Sequence, residues 1–224
     1  MSTVFYGILW ILVNGFGRVF LRYRTSGTEH IPKSGGIVLA ANHASYADIP
    51  LLGCGVGRRL WYLGRSNLFP NPLFNKICLS LGWIPLKPER LDRHAFGIAQ
   101  QLLKEGKAVV IFPEGTRTHN GQLQPGKPGL GVIVAEAQCP VIPVYIQGTY
   151  EFLPMGSSWP RLSRVEIKFG QPLHFHEDNQ GLQGKTFFRH ISQTVMTRIA
   201  ELGNVAQPAD PPLSTPVTQP PATS

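Results

Sequence analysis

Two short stretches hold the residue types that can do chemistry. The first is NHASYAD, Asn42 to Asp48. An imidazole with a pKa near ~6.5 is largely neutral at pH 7 and can take a proton. A carboxylate against its other ring nitrogen fixes the tautomer and stabilises the imidazolium that forms. His43 and Asp48 are the candidate pair. In one regular helix a five-residue spacing would set them roughly 140° apart, so they meet only if His43 lies in a loop and Asp48 opens the following helix, near Ser45 as cap. The second stretch is FPEGTRT, Phe112 to Thr118. Gly115 lets backbone come close to a ligand, Thr116 offers a hydroxyl, and Arg117 presents the planar fork that suits phosphate or carboxylate.

What is missing narrows the chemistry further. There is no G-x-S-x-G elbow and no cysteine close in sequence to His43, so a covalent acyl-enzyme has little support. No G-x-x-x-x-G-K-[ST] loop is present for ATP. H-x-x-x-x-D is not a familiar metal-ligand spacing. Direct attack by a substrate hydroxyl, with His43 as general base, is the simplest reaction left.

Both stretches follow apolar runs that read as buried strands, Ile37 to Ala41 and Ala108 to Phe112. Open α/β sheets put ligand sites beyond the carboxyl ends of their strands, which would bring base and anion holder to one rim. Further along, Ile84 to Leu86, Val141 to Ile146 and Val165 to Phe169 read as strands. Helical spacing runs through Leu73, Phe74, Ile77, Cys78 and Leu81, stopped by Gly82. It recurs from Asp92 as N-cap to Gly106, from Gly129 to Ala137, and through Phe187, Phe188, Ile191, Val195 and Ile199. Strands separated by helices imply an α/β fold, a single domain with a largely parallel central sheet flanked by helices.

Length and composition agree. At 224 residues one domain is expected, and 42% apolar residues suit a packed core. The three cysteines, Cys54, Cys78 and Cys139, lie far apart without a C-x-x-C pair, against a disulfide framework or zinc ribbon. Basic residues number 21 against 13 acidic, and the excess is uneven. No acid precedes Glu29, although Arg18, Arg22 and Arg24 do, and none occurs between Ile49 and Pro88, which holds five cations. Such stretches favour an anionic partner. The chain has no RNP-like aromatic block or zinc finger, so no nucleic-acid partner is expected.

The ends differ from the middle. Val4 to Val13 is a ten-residue apolar run, about 15 Å of helix and half a hydrocarbon core, too short to cross as one helix. With Phe5, Tyr6 and Trp10 ahead of three arginines it reads as a monotopic anchor in the headgroup region, the alternative being a buried N-terminal helix. Six of the residues after Ala206 are proline, among Ser, Thr and Gln, and this tail is expected to be disordered. The expected organisation is therefore a membrane-associating segment at 1–24, a catalytic domain at 25–206 and a tail at 207–224.

With these residues in view the chain resembles a family. NHASYAD is similar to the N-H-x-x-x-x-D signature of the glycerolipid acyltransferases, the 1-acylglycerol-3-phosphate acyltransferase group, and FPEGTRT resembles their F-P-E-G-T-R-S block. VIPVYIQG, Val141 to Gly148, looks like their V-I-P-V-x-x-x-G strand, and the likeness runs from about Thr25 to Ala200. The resemblance implies an O-acyltransferase. Its histidine deprotonates the acceptor hydroxyl, which attacks the thioester of acyl-CoA or acyl carrier protein, and its aspartate orients the histidine. Those roles carry to His43 and Asp48. Glu114, Gly115, Thr116 and Arg117 would help bind the acceptor's phosphate, and Lys127 and Gly129 look like the K-x-G that follows. One block departs: GWIPLKPER has Pro88 where the family's second motif carries arginine, leaving Lys87 and Arg90 as the cations able to substitute. The implied acceptor is lysophosphatidate, giving phosphatidate. Another lysophospholipid or lyso-aminolipid, or thioester hydrolysis by the same pair, stays open. No cofactor is implied, since the acyl donor is a co-substrate. The expected location is a membrane surface, monotopic or peripheral, on its cytoplasmic face, with anionic lipid as partner.

Overall fold

The computed structural model describes residues 3–66, 71–87, 92–175 and 182–208. Three strands build its centre: β2 (Ile37–Ala41), β5 (Ala108–Ile111) and β6 (Val141–Gln147). Their apolar runs are continuous because both faces of these strands are covered, as in a parallel sheet between helices. The other strands are β1 (Arg24–Ser26), β3 (Leu60–Arg65), β4 (Trp83–Leu86) and β7 (Glu166–Phe169). They form one seven-stranded sheet in the order β1-β7-β6-β2-β5-β3-β4. β7 pairs antiparallel to β6 and parallel to β1, so that edge runs against the rest.

The alternation of side chains divides the core in two. Ile37, Leu39 and Ala41 pack on the face covered by α2 (Asp48–Gly55), while Val38 and Ala40 pack on the face covered by α4 (Arg93–Lys104), α5 (Gly129–Ala137) and α7 (Gly184–Gly203). Asp92 caps α4 through the Ala95 amide, at 3.1 Å. Two further helices are α3 (Pro72–Ser80) and the short α6 (Thr149–Phe152).

The N-terminal helix is longer than its apolar run suggests. α1 spans Thr3–Phe20 and passes straight through Asn14, Gly15 and Gly17. Asn14 is buried and its Nδ2 donates to the Cys54 carbonyl at the end of α2. Gly17 lies against Leu51 and Tyr23, where an added Cβ would sit 3.3 Å from the leucine. Gly17 thus serves a close approach, while Gly15 faces open space. Ile11, Leu12, Phe16, Val19 and Phe20 are left exposed on the other side. Among the described residues no helix is long and apolar enough to cross a membrane. The Pro-rich tail from 209 onward lies outside the described residues, whereas Gln207 and Pro208, assigned to it from composition, are described and line a cleft.

Candidate active site

The register of the sheet decides where the two chemical stretches emerge. Ala40 on β2 is level with Ile111 on β5 and with Pro143 on β6. The next residues, Asn42-His43 and Phe112-Pro113, therefore leave the same rim side by side. Asn42 is held there by an amide pair with Ile146 of β6: its Nδ2 donates to that carbonyl at 2.9 Å and its Oδ1 accepts from that N–H at 2.7 Å.

His43 lies in the loop and Asp48 is the first residue of α2, the arrangement their spacing requires. His43 Nδ1 is 2.8 Å from Asp48 Oδ2. The same oxygen accepts the Ala44 and Ser45 amides at 2.7 and 2.9 Å, while Oδ1 of this fully buried carboxylate has no hydrogen-bond partner among the described residues. A carboxylate oxygen accepts, so Nδ1–H donates to it and Nε2 keeps its lone pair free, the tautomer a general base needs. Ser45 supports the turn: its hydroxyl accepts the Ala47 amide and donates to the Leu153 carbonyl. The imidazole stacks on Phe112, centroids 3.9 Å apart and planes 17° apart, which fixes its remaining rotation.

The FPEGTRT loop is stitched to His43 by backbone. The Thr118 N–H donates to the His43 carbonyl at 2.8 Å, and the His43 N–H donates to Glu114 Oε1 at 2.9 Å. Glu114 Oε2 accepts the Gln124 N–H at 3.1 Å. With 2% of its surface exposed, Glu114 is a brace under the histidine and does not line the cleft that holds Arg117. Burial pushes its carboxyl up to about 7, against the opposite pull of the two backbone amides.

That cleft, about 470 Å³, is lined by His43, Gly115, Thr116 and Arg117 together. The Arg117 guanidinium carbon sits over Tyr46, 3.6 Å from the ring centroid, and both side chains line the cleft. Gly115 has φ of 68°, and a Cβ there would meet the Lys127 side chain at 2.9 Å, so the glycine makes room for a second cation. Arg65, at the end of β3, is a third. Leu63, Trp83, Leu86, Phe96 and Ile111 give the same cleft an apolar wall. Of the two substitutes for the missing motif arginine, Lys87 is exposed and outside this lining, and Arg90 lies outside the described residues. Arg65 was legible only as one cation of an acid-free stretch. Its place follows from β3, whose Arg65 is level with Leu86 of β4 at the same rim.

The comparison with known proteins meets this geometry. A family model described as acyltransferase matches residues 22–147, more than half of the chain. The chain belongs to the acyltransferase family. Among curated relatives of this acyltransferase, the chloroplastic 1-acyl-sn-glycerol-3-phosphate acyltransferase BAT2 of Brassica napus is 31% identical over 156 residues, covering 66% of this chain and 43% of that one. The chain thus spans less than half the length of the plant proteins it matches. The Bacillus subtilis protein of the same name is 28% identical over 177 residues, 79% of this chain and 85% of that one. In structure, the acyltransferase superposes on the crystal structure of PlsC from Thermotoga maritima, titled a 1-acyl-sn-glycerophosphate (LPA) acyltransferase. The TM-score is 0.68 at 28% identity, covering 87% of this chain and 79% of that one.

Proposed function

We propose that this acyltransferase moves a fatty acyl group from acyl-CoA or acyl carrier protein to the free hydroxyl of 1-acylglycerol-3-phosphate, making phosphatidate. The observation that supports the reading is the shared cleft, lined by His43, whose ring is paired with the buried Asp48, and by the cations Arg117, Lys127 and Arg65. His43 Nε2 takes the hydroxyl proton as the oxygen attacks the thioester carbonyl. The carbon–sulfur bond then breaks, and the thiolate leaves with the proton returned by the imidazolium. Asp48 holds the ring and stabilises its charged form. Arg117 takes the acceptor's phosphate through its fork, with Lys127 and Arg65 as further positive charge, and Glu114 positions the histidine loop from beneath. The apolar wall suits an acyl chain. The relatives named for this reaction support the acceptor.

The acceptor is a lipid, and the exposed face of α1, with Arg18, Arg22 and Arg24 at its end, suits a monotopic or peripheral seat on the cytoplasmic face of a membrane carrying anionic lipid. The test is a panel of lysolipids with each donor. The expected result is phosphatidate formed with one thiol released per acyl group transferred. Fatty acid released from the donor at the same rate without any lysolipid would overturn the transferase assignment in favour of hydrolysis.

A further inference from the structure

A second surface that is both apolar and basic lies away from α1 in the sequence. Between Phe152 and Val165 the chain FLPMGSSWPRLSRV contains no acid. Trp159 is 82% exposed and Leu162 is 77% exposed, the two most exposed large apolar side chains among the described residues, and Arg161 and Arg164 beside them are exposed as well. Large indoles are normally well buried, and a single stray leucine would mean little, but Trp and Leu three residues apart and alternating with two arginines form an amphipathic group.

The loop is fixed at both ends to parts already described. At its start the Leu153 carbonyl accepts from Ser45, in the histidine loop, and Met155 lines the Arg117 cleft. In its middle the Arg161 N–H donates to the Phe152 carbonyl at 2.7 Å, and the Ser163 hydroxyl donates to the Gly148 carbonyl at 2.8 Å. At its end the Val165 N–H donates to the Leu21 carbonyl, the residue after α1, and the Val165 carbonyl accepts from Arg24. The apolar tip is therefore presented by a tied backbone that runs from the cleft to the end of α1.

We propose that this loop is a second membrane contact. Trp159 and Leu162 enter the headgroup–acyl boundary, where indole rings concentrate, while Arg161 and Arg164 meet the phosphates of anionic lipid. The choice of an anionic bilayer over a protein partner rests on charge complementarity and on continuity with the arginines that end α1. Because Met155 joins the loop to the cleft, docking it sets the cleft mouth at the bilayer, where a lysolipid can move in without leaving the interface. The inference rests on the proposed acylation of a lysolipid at a membrane.

The test uses the full chain with acyl-CoA and two acceptors: long-chain lysophosphatidate in phosphatidylcholine/phosphatidylglycerol vesicles, and a short-chain lysophosphatidate that stays monomeric in water. The Trp159→Ser/Leu162→Ser variant is expected to bind the vesicles about tenfold more weakly and to lose vesicle activity in proportion, while acylating the soluble acceptor at the wild-type rate. Arg161→Gln/Arg164→Gln should lower the preference for phosphatidylglycerol on the order of 30-fold, about fivefold for each charge. Wild-type vesicle binding by the Trp159/Leu162 variant would overturn the proposal, as would equal loss of activity on both acceptors. Failure of the wild type to acylate either acceptor, with vesicle binding lost only in the variant, would overturn the acceptor assignment and leave the membrane contact standing.

Discussion

Two clefts meet at His43, and they differ in almost every respect that matters to a substrate. The one toward β3 and β5 holds Arg65, Arg117 and Lys127 and an apolar wall. The one toward β6, about 640 Å³, is larger and is lined by Gln122, Gln147, Tyr150, Glu151 and the segment Val205 to Pro208, with Glu114 at its floor and no lysine or arginine in the lining. On the proposed function an anionic amphiphile would enter the first, and the charge and polarity of the wall rather than the volume would choose between them. The apolar cavity under α1, between Trp10, Val13, Ile49, Tyr62 and Trp83, is a third space of about 140 Å³ and has no ionisable carboxylate or cation in its lining.

The comparison can be broken most severely at Asp48, the carboxylate proposed to orient the histidine that both clefts share. Asp48→Asn keeps the size but offers an amide where Nδ1–H, Ala44 and Ser45 now donate, and turnover is expected to fall on the order of 10²- to 10⁴-fold. Wild-type kcat in a folded variant would remove the pair from the chemistry. Arg117→Ala attacks only the first cleft. Loss of a charge-assisted hydrogen bond worth about 1.5–3 kcal/mol should raise the KM for lysophosphatidate about 10- to 150-fold and change kcat far less. An unchanged KM would move the phosphate elsewhere. Glu151→Gln attacks only the second cleft, and acceptor KM is expected to stay within about twofold, the scale of an exposed charge. A large rise would show that the acceptor enters by that side.

The smallest effect sharpens the role of the brace. Glu114 titrates near 7 when folded against 4.5 when free, because burial disfavours its charged form. The folded chain therefore keeps this proton over a range in which the unfolded chain has lost it. The group's contribution to stability is full below about 4.5 and is lost as pH rises through about 7. Glu114→Gln cannot titrate, so the fall in thermal stability over that window should flatten in this variant relative to the wild type. Parallel Tm–pH profiles would count against it.

Much of this was legible in the sequence, and the reasons for the rest are physical. β2, β5 and β6 announced themselves as unbroken apolar runs because they are covered on both faces. Helix periodicity excluded a His43–Asp48 pair within one regular helix and left the loop-then-helix placement as the condition for it, which the start of α2 at Asp48 meets. β3 did not show, since LWYLGR mixes aromatics, a glycine and an arginine, and its Gly64 is explained only by the Trp83 indole lying across it from β4. β1 is three residues whose pairing is set by β7, far along the chain. The extension of α1 past Asn14 and Gly17 goes with their contacts to Cys54 and Leu51, which no local pattern records. Glu114 was grouped with the phosphate binders by its motif, and its burial is fixed by amides at positions 43 and 124. The cations of the cleft come from two separate segments, the end of β3 and the connection from β5 to α5, and only the sheet brings Arg65 to Arg117 and Lys127.

The most direct test of the central claim is single-turnover acyl transfer from acyl-CoA to lysophosphatidate by wild type and His43→Ala, each with its Tm measured beside it. The account predicts phosphatidate from the wild type and a rate on the order of 10²–10⁴ lower in the variant at an unchanged Tm, the usual worth of a general base. Equal rates from two equally folded proteins would contradict it.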